Sequence, residues 1–158
     1  MVVVARLAFQ AAVRAAAVEL LTTFAVSGDW PLVQPLQVYR GRPRSLLPPS
    51  AFVDRLTERD EYPSSVTWRR RTVRAECLVV FGLFDSGEAV DAKDAFADSF
   101  LDWVTDRYDA AGASTTIAVV EMVDEPAWTP DWRPANITNG PNPTYYATRV
   151  ILEGFAGA

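Results

Sequence analysis

Residues Val66 to Phe84 read as one strand that is too long for the body that has to hold it. At about 3.3 Å per residue such a strand reaches roughly 60 Å, whereas a globule of this chain length is about 40 Å across. Its composition changes midway. Trp68, Arg69, Arg70, Arg71 and Arg74 crowd the first half, and Cys77, Leu78, Val79, Val80 and Phe81 fill the second. The second half belongs in a core, and the arginine half is expected to project as an arm. A projecting strand exposes unpaired backbone groups, which soluble proteins tolerate mainly when another strand or subunit covers them. Assembly is therefore the first expectation.

With 158 residues, 49% of them hydrophobic, the chain can bury about 68–70% of its unfolded surface in one core, so residues 1–158 are read as a single domain. The formal charge of −5 sets the overall field against nucleic acid. Of the 15 basic residues only Lys93 is a lysine. Arginine suits bidentate and stacked contacts at interfaces, although a GC-rich genome gives the same bias. Cys77 is the single cysteine, so a disulfide within the chain or a cysteine-rich zinc site is excluded, and a reducing compartment fits.

Met1 to Leu21 is rich in Val, Ala and Leu but is interrupted by Arg6, Gln10, Arg14 and Glu19. It reads as neither a secretion signal nor a membrane anchor. Phe9, Val13, Ala17, Leu20 and Phe24 recur at helical spacing, giving an amphipathic helix that ends at Ser27-Gly28-Asp29. A short strand follows at Leu36 to Tyr39. From Arg40 to Ser65 four prolines and many charges suggest an irregular loop, with Phe52 to Arg59 adding a helical turn or two. Asp85 and Glu88 have the spacing of a capping box opening a second helix that Gly112 closes. On it Phe96, Phe100, Trp103 and Val104 line one side, while Asp91, Asp94, Asp98, Asp102 and Asp106 form an acidic ridge. Thr115 to Val123 reads as a strand, Glu125 to Pro143 as a Pro/Trp/Asn loop, and Tyr145 to Leu152 as the closing strand.

The absence of histidine removes the commonest general base near neutral pH and the commonest transition-metal ligand. Cys77 lies among apolar neighbours, where a thiol is unreactive. Asp94 and Asp98, one helical turn apart, make an incomplete shell for Mg²⁺ or Ca²⁺, and a solvated face or one that meets a basic neighbour is the simpler reading. Gly82 to Glu88 has the glycine spacing of a phosphate loop, but Glu88 stands where a lysine is needed. In a strand Arg69 and Arg71 face one side while Arg70 and Arg74 face the other, which splits the cluster and favours subunit contact over nucleic acid. Trp128 and Trp132 either rigidify their proline-rich loop or anchor a partner. The expectation is a non-enzymatic protein without metal or cofactor.

The order of these elements has a known counterpart. An amphipathic N-terminal helix leads to a short strand and Tyr39-Arg40-Gly41-Arg42-Pro43. A long arginine-bearing strand then runs to Val80-Phe81-Gly82-Leu83, followed by an Asp/Ala/Phe helix and a closing Tyr145-Tyr146-Ala147-Thr148-Arg149-Val150 strand. Together they resemble the tail terminator proteins of long-tailed bacteriophages. The resemblance implies an α+β fold with one mainly antiparallel sheet packed by two helices. It also implies a homo-oligomeric ring, a hexamer in that family, at the head-proximal end of the tail. Such a ring caps the tail tube protein, stops its polymerisation and meets a head-completion or neck protein, with DNA passing only as cargo and no membrane involved. A connector of the same virion is one alternative. An α+β cup for a small apolar ligand is another, from a different class. The interface residues expected on the ring reading are Arg69, Arg70, Arg71, Arg74, Asp94, Asp98, Asp102, Trp128 and Trp132.

Overall fold

The computed structural model describes residues 2–61, 70–106 and 117–157, with side chains for 8–60, 71–105 and 117–154. Its elements are α1 (Val2–Ala25), β1 (Gln37–Tyr39), β2 (Ser50–Glu61), β3 (Arg70–Leu83), α2 (Gly87–Asp106), β4 (Ile117–Trp128) and β5 (Tyr145–Gly157). The five strands form one sheet in the order β1-β2-β3-β5-β4, antiparallel throughout except where β1 runs parallel to β2. Both helices lie on one face. This is the α+β architecture expected, with an N-terminal and a second long helix on a mainly antiparallel sheet.

Helical periodicity explains what α1 buries. Val13, Ala17, Leu20, Leu21 and Phe24 point at the sheet and are buried, and Phe9 packs at the margin. After Ala25 the Ser27 hydroxyl donates to the Phe24 carbonyl and accepts from the Asp29 amide, closing the helix as expected. In α2 the capping pattern is shifted by one residue. Ser86, rather than Asp85, is the cap, because its side-chain oxygen accepts from the Ala89 amide. Gly112, expected to end α2, lies outside the described residues.

The layer between helices and sheet is aromatic. Phe24 sits 5.1 Å from Phe100, 5.1 Å from Trp103 and 5.8 Å from Phe96, ring centre to ring centre. Phe96 stacks on Phe100 at 5.0 Å and meets Phe81 of β3 at 5.4 Å. At Gly82 the backbone of β3 approaches α2 closely: an added Cβ would lie 3.3 Å from the Ala89 methyl. The register of β3 against β5 also shifts there, between Val80 and Gly82.

Two expectations are corrected. The stretch from Arg40 to Ser65 is not wholly irregular, since its 50–61 portion is strand β2, paired with β3 from Ser50↔Val80 to Glu61↔Arg70. Phe52 to Arg59 is therefore extended and not helical. A bulge at Asp54 breaks the period-two pattern, and beyond it charges occupy both faces, so no apolar alternation marks the strand. The second correction concerns the arm. Over its described length β3 is flanked by β2 on one side and β5 on the other, as far as Arg70↔Glu61 and Arg70↔Gly157. The arginine half thus belongs to a three-strand ladder and its backbone is paired. Val66 to Arg69 lie outside the described residues. Two boundaries move outwards, β4 continuing to Trp128 and β5 to Gly157, while β1 begins at Gln37 and β3 ends at Leu83, each one residue inside the expected limit.

Two measurements check this core. Phe100→Ala removes the ring shared by Phe24, Phe96 and Trp103 and is expected to cost about 3–5 kcal/mol, with about 2–4 °C of melting temperature lost per kcal/mol. A loss below about 1 kcal/mol contradicts the packing. Cys77 is fully buried, and burial pushes its thiol up from an ordinary 9.0 to about 12. An unfolded chain then ionises first as pH rises, so this group withdraws stability between about pH 9 and about pH 12. Native protein at pH 8 is expected to react with a thiol reagent only at its unfolding rate, and labelling as fast as in denaturant would contradict the buried placement.

Candidate assembly surface

The face of the sheet away from the helices has three zones, set by the alternation of β3. Cys77, Val79 and Phe81 point to the helices, which leaves Leu78 and Val80 on the outer face. There they join Leu46, Phe52, Tyr145 and Ala147 in a second buried cluster, against which Tyr39, Trp128 and Trp132 pack. Trp132 lies 5.5 Å from the Phe52 ring and 5.8 Å from Trp128, and Trp128 is 6.2 Å from Tyr145. The two tryptophans thus fold back on the chain's own sheet, leaving part of each ring exposed.

The loop of residues 129–144 that carries Trp132 is tied down by side-chain amides. Asn136 accepts from the Leu46 amide at 2.9 Å and donates to the Leu46 carbonyl at 3.0 Å, as a neighbouring strand would. Asn142 donates to the carbonyls of Pro130 and Trp132, and the Trp132 indole N–H donates to the Pro43 carbonyl. Arg42 lies over the Trp132 ring at 5.2 Å. Four prolines, at 130, 134, 141 and 143, restrict the backbone of this loop, and a fifth, Pro126, lies in β4 just before it.

Beyond this lid lies a band of ion pairs. Arg149 reaches Glu125 at 2.8 Å, Asp54 at 2.9 Å and Glu76 at 4.0 Å, and Arg42 links Asp54 to Asp131. Burial works against the Arg149 charge, but its hydrogen bonds to Glu125 and Asp54 outweigh that and raise its pKa. The bulge at Asp54 turns that carboxylate outward to meet Arg149. The third zone is the outer face of the three-strand ladder. It has an open hollow of about 340 Å³ bordered by Thr57, Arg59, Thr72, Arg74 and Glu153.

The expected interface residues are dispersed. Arg71 faces the helices and is held by Glu58 at 2.9 Å and Asp60 at 3.4 Å, with Gln10 of α1 donating to the same Glu58. Arg74 is on the opposite face, paired with Glu153 at 2.9 Å. The split by alternation is as expected, but both cations are engaged within the subunit. Arg69 lies outside the described residues, and the side chain of Arg70 is not described. Asp94, Asp98 and Asp102 are exposed on α2. Lys93 alongside bonds Asp94 and Asp124, which raises its pKa, and so ties α2 to β4. Among the described residues no group of acidic, Cys or His side chains is arranged to hold a metal.

Sequence reasoning missed Arg149 and Asp54, although an arginine interrupting the apolar run of the closing strand was a visible signal. It also missed the sheet edges. β1 covers β2 only at Ser50 to Phe52. Among the described residues, no backbone hydrogen bond reaches the outer edge of β2 beyond that point or the outer edge of β4. Val120 and Val123 are exposed on β4. A second hollow of about 340 Å³ lies between the 32–34 segment and the first turn of α2, with Val33 fully exposed beside it.

No helix among the described residues is long and apolar enough to cross a membrane. No family model matches the chain, and no curated protein matches it.

Replacing Arg149 with Met strands three carboxylates beside one another. The cost is expected to fall between the about 0.2–1 kcal/mol of an exposed pair and the about 3–5 kcal/mol of a fully buried one. Urea unfolding measures it, and no loss would show the band to be ornamental to stability. Trp132→Ala is expected to lower the melting temperature by several degrees, at about 2–4 °C per kcal/mol. An unchanged melt would mean that the indole contributes nothing to the subunit's own packing.

Proposed function

We propose that this protein is a structural subunit of a bacteriophage tail, forming a ring that caps the tail tube, ends its polymerisation and offers the surface on which the head is joined. The observation that carries the reading is the order of elements resembling tail terminators, folded as one two-helix sheet whose long ladder ends in open edges. The net charge of −5 supports it, because a channel that passes DNA works best without holding it. On this reading the partners are further copies of the chain, the tube protein and a head-completion or neck protein. Assembly takes place in the host cytoplasm, and the finished ring sits at the head-proximal end of the tail.

Packing weighs against the ligand-cup alternative. The space between helices and sheet, where a cup would hold its ligand, is filled by Phe24, Phe96, Phe100 and Trp103, and of the two open hollows described above one is on the outer face of the sheet and the other at the margin of that layer, beside Phe81 and Ala89. A connector elsewhere in the neck would use the same kind of surfaces and differs in its neighbours.

Copy number decides. Native mass measurement on assembled tails is expected to give six copies of this chain per tail at the head-proximal end. One or two copies per particle would end the ring reading.

A further inference from the structure

The two open edges are complementary to each other, and we infer that β4 of one copy adds to β2 of the next as an antiparallel strand, making one sheet across the boundary between subunits. The inference rests on the ring reading and specifies how its neighbours join.

Strand direction permits this. β2 is antiparallel to β3, β3 to β5 and β5 to β4, so β2 and β4 run in opposite directions. A second copy placed beside the first without being turned over brings its β2 antiparallel to β4, with the helices of both on the same side. The contact joins two different surfaces, so it repeats and closes when the rotation between copies closes. The slot is also the right length. β1 fills the start of the β2 edge and leaves Val53 to Glu61 open, while β4 runs from Ile117 to Trp128.

Charge sets the register. In-register partners share a face: Arg55, Glu76, Ile151 and Glu121 form one row across the sheet, and Glu76 is on the outer face with Leu78. By the same alternation the outer face of β2 carries Arg55, Thr57 and Arg59, and that of β4 carries Glu121, Val123 and Glu125. Both segments are free of bulges. Setting Thr57 opposite Val123 places Arg55 opposite Glu125 and Arg59 opposite Glu121, and moving two residues either way leaves neither arginine directly opposite a glutamate. Glu125 already holds Arg149, so Arg55 extends that network across the boundary.

Pairing of like edges is disfavoured by the same residues. β4 against β4 sets Glu121 and Glu125 against each other, and β2 against β2 does the same with Arg55 and Arg59; like charges directly opposite destabilise a sheet. β4 has no basic residue between Ile117 and Trp128 and exposes Val120 and Val123, so it lacks the lysines that commonly protect a free edge.

The test is a cross-link between Thr57→Cys and Val123→Cys in one chain. Directly opposite residues in an antiparallel pair have Cα atoms about 4.5–5.5 Å apart, within the roughly 4.4–6.8 Å of a disulfide. Inside one subunit the two positions lie on opposite edges of four strands, at least about 14 Å apart, so any bond between them joins two copies. Mild oxidation of the concentrated double variant is expected to yield a ladder of covalent multimers ending at the ring, and each single variant is expected to stay monomeric on a denaturing, non-reducing gel. Dimers from a single variant as abundant as those from the pair would overturn the inference in favour of like-edge pairing. Native mass showing a ring without the 57–123 bond would overturn it while leaving the ring reading standing. Absence of any multimer by either measurement would remove both.

Discussion

Everything in this subunit follows from the need to bury both faces of β3. Cys77 to Phe81 is an unbroken apolar run, and in a strand such a run sends side chains to both sides of the sheet. Two covers are therefore required. The helices supply one, through Phe24, Phe96 and Phe100. The other is the 129–144 loop together with the end of β4, which shield Leu78, Val80 and Phe52 with Trp132 and Trp128, the loop being fastened to the 42–46 stretch by Asn136 and Trp132. A loop serves as a lid here because prolines and side-chain amides replace the regular backbone pairing that it lacks.

That arrangement explains which parts of the fold were legible in the sequence. α1 and α2 announce themselves by apolar spacing, since each buries one regular face, and β5 by the alternation of Tyr146, Thr148, Val150 and Leu152 on the side it turns to the helices. Cys77 was readable as core from its apolar neighbours. β2 was hidden because Asp54 inserts a bulge and because beyond Leu56 its inward face turns polar, Glu58 meeting Arg71 and Gln10. The capping pattern was misplaced by one residue because Asp85 and Ser86 are both competent caps, and only backbone geometry chooses between them. The arginine cluster was legible as split between two faces, but the acids that neutralise Arg71 and Arg74 come from β2 and β5, and such long-range partners leave no local trace. The interface candidates drew on conspicuous residues. The open edges are made of inconspicuous ones, and they appear only once the strand order is known.

Strand order divides the molecule into a finished part and an unfinished part. Among the described residues β3 is paired on both sides from Arg70 to Val80 and β5 from Tyr145 to Gly154, so most of their backbone pairing is made within one chain. β4 and the far half of β2 are each paired on one side. Strand order also sets the charge of the margins: acidic β4 and basic Arg55 and Arg59 stand at opposite edges of the outer face. On the proposed edge-to-edge joining, pairing of exposed charges would add little strength and mostly select register, and the free energy would come from new backbone hydrogen bonds and from covering Val120 and Val123.

Amide hydrogen exchange, compared between the isolated chain and its assembled form, tests this division most directly. The account predicts that assembly slows exchange along β4 and along β2 from Val53 onward, while β3 and β5, already paired on both sides, keep the rates they have in the monomer. Unchanged exchange along β4, with protection appearing instead over residues 129–144, would contradict it and make the tryptophan loop the surface on which the protein assembles.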